Sequence, residues 1–574
     1  MASLVSLTLT SILFAAAYLK VSKWRANYQL ALTAGFPTFY SPVHITDMWW
    51  LMLYPVLVRW VNLLPRSWQA RWLPLSQVWS IWKVGHLPFK EVSSDTLFLA
   101  TPNGNMLWTC DLAVIKQLFT LPTVQVPVDM LGFYDIWGPT LGSVDGEEWK
   151  THRKVVTYGL NPSTLPVVWS EAIHQTETLV ERWAADQYII PVLKHWTSRL
   201  ALHTIASVFF DLKLEWKEYS QTDRVSADGY RISFASALFT VLAHLGLIFM
   251  VPRALLRVIP FQAFRETSIA LTDWTKYMQD LRAKATNNIE EVAKKRNKTI
   301  LESIVVAGTP SPSRPDIRPL SEESVLGNIF FTLMAGHETT GNTLAFALLL
   351  LSVYPEHQVA IQRELDSQFG SRPKEEWNMD HDYQVLQKGH LWAVLKEVLR
   401  LYNVIQFIFR LTVAQTTIHD SKGTAHIIPA NTTCLLNYSA LFQNPKTWAP
   451  NPVTDDRRAE LHHSQAIDFN PSRWLSRNND DEVFWPFGYG SRKCPGMPFA
   501  QVEIVAVLAT LLKDYSLELV VGEGTLRACK GDAKAAWEKT RDGAVRQLKD
   551  DIEANINIQM LKELPVRLVK RGGS

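Results

Sequence analysis

Phe487-Gly-Tyr-Gly490-Ser-Arg492-Lys-Cys494-Pro-Gly496 is the stretch that most limits what this chain can become. It is a glycine-rich loop presenting one cysteine just ahead of an apolar helical stretch, Met497 to Leu512. Glycine at 490 and 496 lets the backbone turn tightly and approach a flat ligand closely. Loop N–H groups and the start of the following helix can lower the thiol's pKa toward the thiolate, a soft, electron-donating metal ligand. Arg492 suits an anionic group, and Phe487 can shield the sulfur from water. A buried, inert cysteine needs none of these neighbours.

The string resembles the haem-binding loop of the cytochrome P-450 family, and three further segments match that family in its own order. The resemblance implies a mostly α fold with small β-sheets, built as one large haem-thiolate domain. It also implies haem b, with Cys494 as axial ligand to iron and Phe487, Gly490, Arg492 and Gly496 around it. Cysteine ligation favours O–O cleavage over simple O2 carriage. Ala335-Gly336-His-Glu338-Thr339-Thr340 sits within an apolar run from Val325 to Val353 that reads as a central helix. Gly336 costs about 1 kcal/mol there relative to Ala. Something large, such as haem or O2, is therefore expected against the backbone at Ala335 and Gly336. Glu338 and Thr339 resemble the family's acid–alcohol pair, in which a carboxylate samples water and a hydroxyl orders the last water of a proton relay. The plainer alternative is a threonine bonded to its own helix beside a solvated Glu338.

Glu397 and Arg400 stand three apart and share a helix face; Phe469-Asn-Pro-Ser-Arg473-Trp474 follows downstream. The resemblance makes Glu397, Arg400 and Arg473 a buried structural network beneath the cysteine loop, a task suited to arginine's planar fork. Trp149-Lys-Thr-His-Arg153 matches the family's Trp-x-x-x-Arg helix. Its i and i+4 side chains can both reach one haem propionate. Arg410 is the expected further propionate ligand. The prolines usual after the Glu-x-x-Arg helix are missing, and Asn403-Val-Ile-Gln-Phe-Ile-Phe409 stands there instead.

Four widely spaced cysteines (Cys110, Cys434, Cys494, Cys529) form no CxxC and fit a reducing compartment. A formal charge of +3 across 574 residues gives no case for nucleic acid. Ala2 to Leu19 is uncharged and mostly apolar, followed by Lys20, Lys23 and Arg25. As a helix it would be roughly 27 Å long, near the thickness of an endoplasmic reticulum bilayer. The trailing positive charge places the catalytic bulk in the cytosol, as a single-pass protein of that membrane. A cleaved signal peptide is the rival, since Ala15-Ala-Ala17 resembles a cleavage site, but no basic n-region precedes it. Met48 to Leu64, with Trp49, Trp50, Tyr54 and Trp60 interrupted by Pro55 and Arg59, reads as an interfacial helix, a second span being the alternative. The expected division is an anchor at 1–25, a membrane-proximal segment at 26–70 and the catalytic domain at 71–574.

Leu121 to Gly142 is a long apolar loop, which in the family covers the substrate. Thr309 to Pro319 reads as a connector, Pro450 to Ala466 and Gly531 to Glu553 as insertions, the second a solvated helix. His462-His463 has no zinc-like spacing, and no Gly-x-Gly-x-x-Gly follows a strand, so NADPH is not expected to bind here directly. The resemblance thus implies a monooxygenase acting on a hydrophobic small molecule. Electrons would come from NADPH through a separate cytochrome P-450 reductase, with cytochrome b5 as a further donor. The pattern resembles fungal members that tailor terpenoids or polyketides. The rivals are a reductase-independent haem-thiolate isomerase or dehydratase, and a haem-based gas sensor. Neither needs the acid–alcohol pair.

Overall fold

The computed structural model describes residues 2–69, 71–77, 80–185, 189–216, 229–287, 289–294, 299–308, 318–448, 466–475, 480–554, 557–560, 562 and 564–572. The connector after Thr309, most of the 450–466 insertion and His462-His463 lie outside them. The helices that carry the argument are α1 (Ala2–Leu32), α2 (Met48–Val61), α3 (Leu112–Thr120), α4 (Gly146–Gly159), α5 (Leu165–Ala185), α6 (Leu193–Phe210), α7 (Gln262–Asn287), α8 (Glu322–Val353), α9 (His390–Leu401), α10 (Met497–Asp514) and α11 (Ala533–Asp550). The chain folds into two compact units assembled from interleaved stretches. The first takes residues 1–127, 393–494 and 541–562; the second takes 128–392, 495–540 and 563–574. Neither residue 25 nor residue 70 is a boundary between them.

The first unit is built on a six-stranded sheet. Its order is β1 (Thr38–Tyr40), β2 (Thr96–Thr101), β3 (Gly104–Thr109), β9 (Thr432–Asn437), β6 (Phe407–Thr412) and β4 (Val124–Gln125). The β2–β3 pair turns at Gly104, whose φ of +148° suits glycine. Two hairpins flank the sheet: β7 (Thr416–His419) with β8 (Ala425–Ile428), and β11 (Ile552–Ala554) with β12 (Ile558–Met560). The expected anchor does not end at residue 25. Lys20, Lys23 and Arg25 are good helix formers, so α1 runs on until the turn at Gly35. Its last turns dock on the sheet: Trp24 Nε1 donates to Ala100 O at 2.7 Å, and Tyr28 stacks on Tyr40 at 3.9 Å. Among the described residues no single helix is long and apolar enough to cross a membrane.

In α2, Trp50, Tyr54, Leu57 and Val61 pack against Val43, Trp72 and Leu73, and Trp50 Nε1 donates to Ser76 O at 3.0 Å. Trp49, Met52, Leu53, Val56 and Trp60 on the remaining face are exposed. At 14 residues α2 is about 21 Å long, short of the ~30 Å hydrocarbon core.

The second unit centres on α8, buried from Ser324 to Val353 except along one stripe described below. It lies tightly against α6: a Cβ on Gly341 would meet Ser198 Cα at 2.6 Å, and one on Gly336 would strike Ile205. At Gly336 the nearest neighbour is the far end of the Ile205 side chain, not the α6 backbone. A three-stranded sheet, β10 (Tyr515–Leu519), β13 (Val566–Lys570) and β5 (Ile189–Ile190), completes this unit. The 531–553 insertion contains a helix, α11, whose residues are mostly exposed or half-buried, with Ala536, Ala544 and Leu548 buried along it.

Glu397 on α9 is fully buried in the first unit. Its Oε2 accepts from Arg400 Nε at 2.9 Å and Trp474 Nε1 at 2.8 Å. Its Oε1 accepts from Arg400 Nη2 at 2.8 Å, Arg473 Nε at 3.0 Å and Asn470 N at 2.9 Å. Arg400 Nη1 donates onward to Phe442 O and Ala466 O, both at 2.7 Å. Burial pushes the Glu397 carboxyl up, but the two guanidinium charges and these hydrogen bonds outweigh it, leaving the pKa below the ordinary 4.5. Its stabilisation is therefore present above pH 4.5 and is lost as pH falls through the lower folded value. Glu397→Ala strands buried arginine charge, a change that costs about 3–5 kcal/mol out of a total of roughly 5–15. We expect Glu397→Ala to lower the chemical-denaturation midpoint and the haem content together. Wild-type stability in that variant would show the network to be dispensable.

Candidate active site

The cysteine loop is shaped by two left-handed glycines, Gly488 (φ +85°) and Gly490 (φ +69°). Gly488 N donates to Trp485 O at 3.0 Å, Lys493 N to Gly490 O at 3.2 Å and Cys494 N to Phe487 O at 2.8 Å. Arg492 ends the 3₁₀ turn that begins at Gly490. The loop leans on α3, whose first turn is capped by the Asp111 carboxylate. Tyr489 meets Phe119 at 6.2 Å, and the Arg410 guanidinium lies 4.6 Å from the same ring's centroid. Phe119 thus brings Arg410 beside the cysteine loop. Sequence reasoning missed it, because nothing but its place at the end of an amphipathic helix marks it. Trp474, a donor to Glu397, was likewise overlooked, although it adjoins Arg473.

Cys494 is exposed, whereas Cys110 and Cys434 are buried. Burial pushes the Cys110 thiol far up and that of Cys434 to about 12, so both stay protonated. A loop made thin by glycine, an accessible thiol and nearby arginine fit a haem held through Cys494. His86, Asp95 and Cys110 also bring possible ligand atoms within 4.8 Å of one another. There Lys446 Nζ already takes the Asp95 carboxylate at 2.7 Å, which makes the trio a structural ion pair beside a thiol.

In the second unit, α8 is open along a single stripe: Phe331, Thr332, Ala335, Gly336, Glu338 and Thr339 are half-buried amid fully buried neighbours. At 100° per residue these six share one face, as the wall of an internal space would. Thr339 Oγ1 donates to Ala335 O at 2.7 Å, the backbone-bonded alternative raised by the sequence. His337, between them in sequence, points away into the core and bonds Leu333 O at 2.7 Å; burial pushes its pKa down.

Trp149 and Arg153 are half-buried, one turn apart on α4. What holds α4 is a residue the sequence did not announce. Asn328 of α8 donates to His152 Nδ1 at 2.9 Å and accepts from Leu141 N at 2.9 Å, tying together α4, α8 and the 128–142 loop. Burial lowers the His152 pKa, which suits a neutral ring accepting that bond. Gly496 caps α10 at its N-terminus. A surface groove bounded by Glu171, His174, Lys213 and Trp216 holds none of the motif residues.

Comparison with known proteins agrees with this geometry. A cytochrome P450 monooxygenase of Penicillium rubens, prx9, is 25% identical over 518 residues, covering 84% of this chain and 82% of the relative. The phomenoic acid biosynthesis cluster cytochrome P450 monooxygenase of Leptosphaeria maculans is 23% identical, covering 92% and 95%. The crystal structure of the cytochrome P450DA heme domain superposes with a TM-score of 0.62 at 17% identity, covering 85% and 92%, and so shares the fold. The family model for cytochrome P450 matches residues 141–530, from the 128–142 loop to beyond the cysteine loop, and the chain belongs to that family of haem-thiolate monooxygenases.

Proposed function

We propose that this protein is a membrane-seated monooxygenase of fungal secondary metabolism that oxidises a largely apolar terpenoid or polyketide. The half-open face of α8 carries this reading: Phe331 and Thr332 stand at one end and Glu338 and Thr339 at the other. An isomerase needs no such acid–alcohol pair. The relative named for a biosynthesis cluster supports the metabolic setting.

When bound, haem supplies O2 activation; in balance, R–H, O2, two electrons and two protons give R–OH and water. Cys494 would hold the iron, and Arg492, Arg410, Trp149 and Arg153 the propionates. Electrons would come from NADPH through a separate reductase or from cytochrome b5. Because the Thr339 hydroxyl donates to Ala335 O, its free lone pair is an acceptor that can order a water. Glu338, half-buried one residue earlier, can pass a proton from solvent to that water. The exposed face of α2 would lie in the lipid interface, with the catalytic bulk on the cytosolic side of the endoplasmic reticulum.

Three outcomes follow from these roles. Cys494→Ser should abolish the reduced carbon-monoxide band that gives the family its number, and survival of that band would remove the ligand assignment. Thr339→Ala should keep haem but consume NADPH with peroxide released in place of product, while Thr339→Ser restores coupling; full coupling in the alanine variant would show that the hydroxyl is idle. Deleting residues 2–20 keeps Trp24 and Tyr28 on the sheet, so the truncated protein should still sediment with membranes and be released by carbonate. Complete solubility at low salt would contradict the role given to α2.

A further inference from the structure

The 128–142 loop is fixed to α8 by close backbone approach. A Cβ on Gly138 (φ +129°) would meet the Glu323 backbone at 2.5 Å, and one on Gly327 would meet Gly138 O at 2.5 Å. A Cβ on Gly142 would meet the Phe331 ring at 2.6 Å. Trp137 Nε1 donates to Thr275 of α7 at 2.8 Å, and its ring packs on Phe330 at 4.5 Å. Substitution by any larger residue at 138 or 327 would press backbone on backbone and lift the loop, so its side chains are held before a ligand arrives.

Among those side chains is Tyr134, at the end of the Gly132–Tyr134 turn. Its ring meets Phe331 edge-on at 5.3 Å and Phe133 at 4.0 Å. Tyr134 is half-buried, and its ring stands against Phe331 of the half-open α8 stripe. Burial, and then the charge of Glu338, push its phenol up to about 12, so the hydroxyl remains a donor throughout the physiological range. Among the described residues neither this hydroxyl nor the Glu338 carboxylate has a hydrogen-bond partner in the protein. The phenol and the Glu338 carboxyl thus lie near enough to influence each other without being bonded, and Phe331 of the same stripe stands against the Tyr134 ring.

We propose that Tyr134 is a specificity-determining residue whose hydroxyl donates to a neutral oxygen, a ketone, ester or alcohol, on an otherwise apolar substrate, and that Glu338 excludes carboxylates from that position. The inference rests on the reading of the α8 stripe as the substrate wall. The aromatic edges of Phe133 and Phe331 take the carbon skeleton. A buried donor left unpaired is unfavourable, which disfavours pure hydrocarbons. A carboxylate would place a second negative charge beside Glu338 in a medium of low dielectric, where like charges repel strongly. The class that satisfies all three conditions is a neutral oxygenated molecule, not a fatty-acid anion.

The test uses the full-length, haem-loaded protein and ligands that report through the iron. Phenylimidazole, its meta- and para-acetyl derivatives and the matching carboxylic acids are titrated by the Soret shift. Wild type should bind one acetyl isomer more tightly than phenylimidazole and the acids most weakly. Tyr134→Phe keeps the ring contacts and should keep the reduced carbon-monoxide spectrum. It should weaken the favoured acetyl ligand by about 3–10-fold and leave phenylimidazole unchanged. Glu338→Gln should recover binding of the acid. Equal weakening of all ligands in Tyr134→Phe, no loss for either acetyl isomer, or wild-type binding of an acid as tight as its ketone would overturn the proposal. Failure of the underlying reading looks different: no azole would shift the Soret band at all.

Discussion

Glu397 is a carboxylate wholly withdrawn from water that nevertheless stays ionised, and the architecture of the first unit follows from how that is achieved. An isolated buried carboxylate would take up a proton. Here Arg400 binds it through two parallel bonds, Arg473 adds a third, and the Trp474 indole and Asn470 amide fill the remaining lone pairs. Arg400 spends its other donors on the carbonyls of Phe442 and Ala466, and Arg473 reaches Trp448 O at 2.8 Å. Two stretches, 442–448 and 466–474, are thereby pinned to α9. The segment that ends in Cys494 emerges from the last of them, so the position of the thiol is inherited from an ion cluster that takes no part in chemistry. Replacing such a cluster by hydrocarbon can be neutral for stability, whereas removing one member is not. What the charges add is direction: each N–H has one acceptor, and the stretches cannot slide past each other.

In the second unit the equivalent constraint is closeness of backbones. α8 loses about 1 kcal/mol of helix propensity at each glycine relative to alanine. Gly341 returns this as backbone contact with α6, and Gly327 as contact with the loop at Gly138. Brought this near, the helix is sealed on every side but one, and the open side carries Glu338 and Thr339. The half-open stripe exists because the other faces are closed. Asn328 serves the same end with hydrogen bonds, fixing α4 and Leu141 from a single amide.

Much of this was legible in the sequence, for a physical reason in each case. The thiol loop could be read partly because Gly490 needs a φ that few other residues tolerate; Gly488 supplies the second such turn, whereas Gly496 has an ordinary φ of −82°. Glu397 and Arg400 could be paired because helix geometry fixes where residues three apart project. Gly336 stands out in the sequence by its cost in a helix, and in the structure it lies on the half-open stripe with the Ile205 side chain beside it. Asn328 and Phe119 could not be found, since each acts across more than a hundred residues of chain; Tyr134 falls in the expected substrate-covering loop, but no local pattern dictates which of that loop's side chains meets α8. The N-terminal helix is longer than its apolar run. Its apolar run ends at Leu19, yet charge does not stop a helix, and α1 continues until Gly35 turns it.

The missing prolines after α9 show how one turn can be specified by different means. Proline fixes φ covalently and removes a donor. Here Asn403, 3% exposed, accepts from Ile405 N at 3.0 Å through its own side chain, an Asx turn that restrains the same stretch by hydrogen bonding. Gln406 O then accepts from Tyr438 N at 2.8 Å and Ser439 N at 3.1 Å, and β6 pairs with β9 from Phe407 onward. The chain leaves α9 and enters the sheet with its backbone groups satisfied, without a ring to enforce the path. A turn held by side-chain hydrogen bonds keeps φ freedom that proline forbids, at the cost of depending on a buried amide. That dependence places Asn403, rather than the apolar residues after it, in control of where Phe407, Phe409 and Arg410 stand.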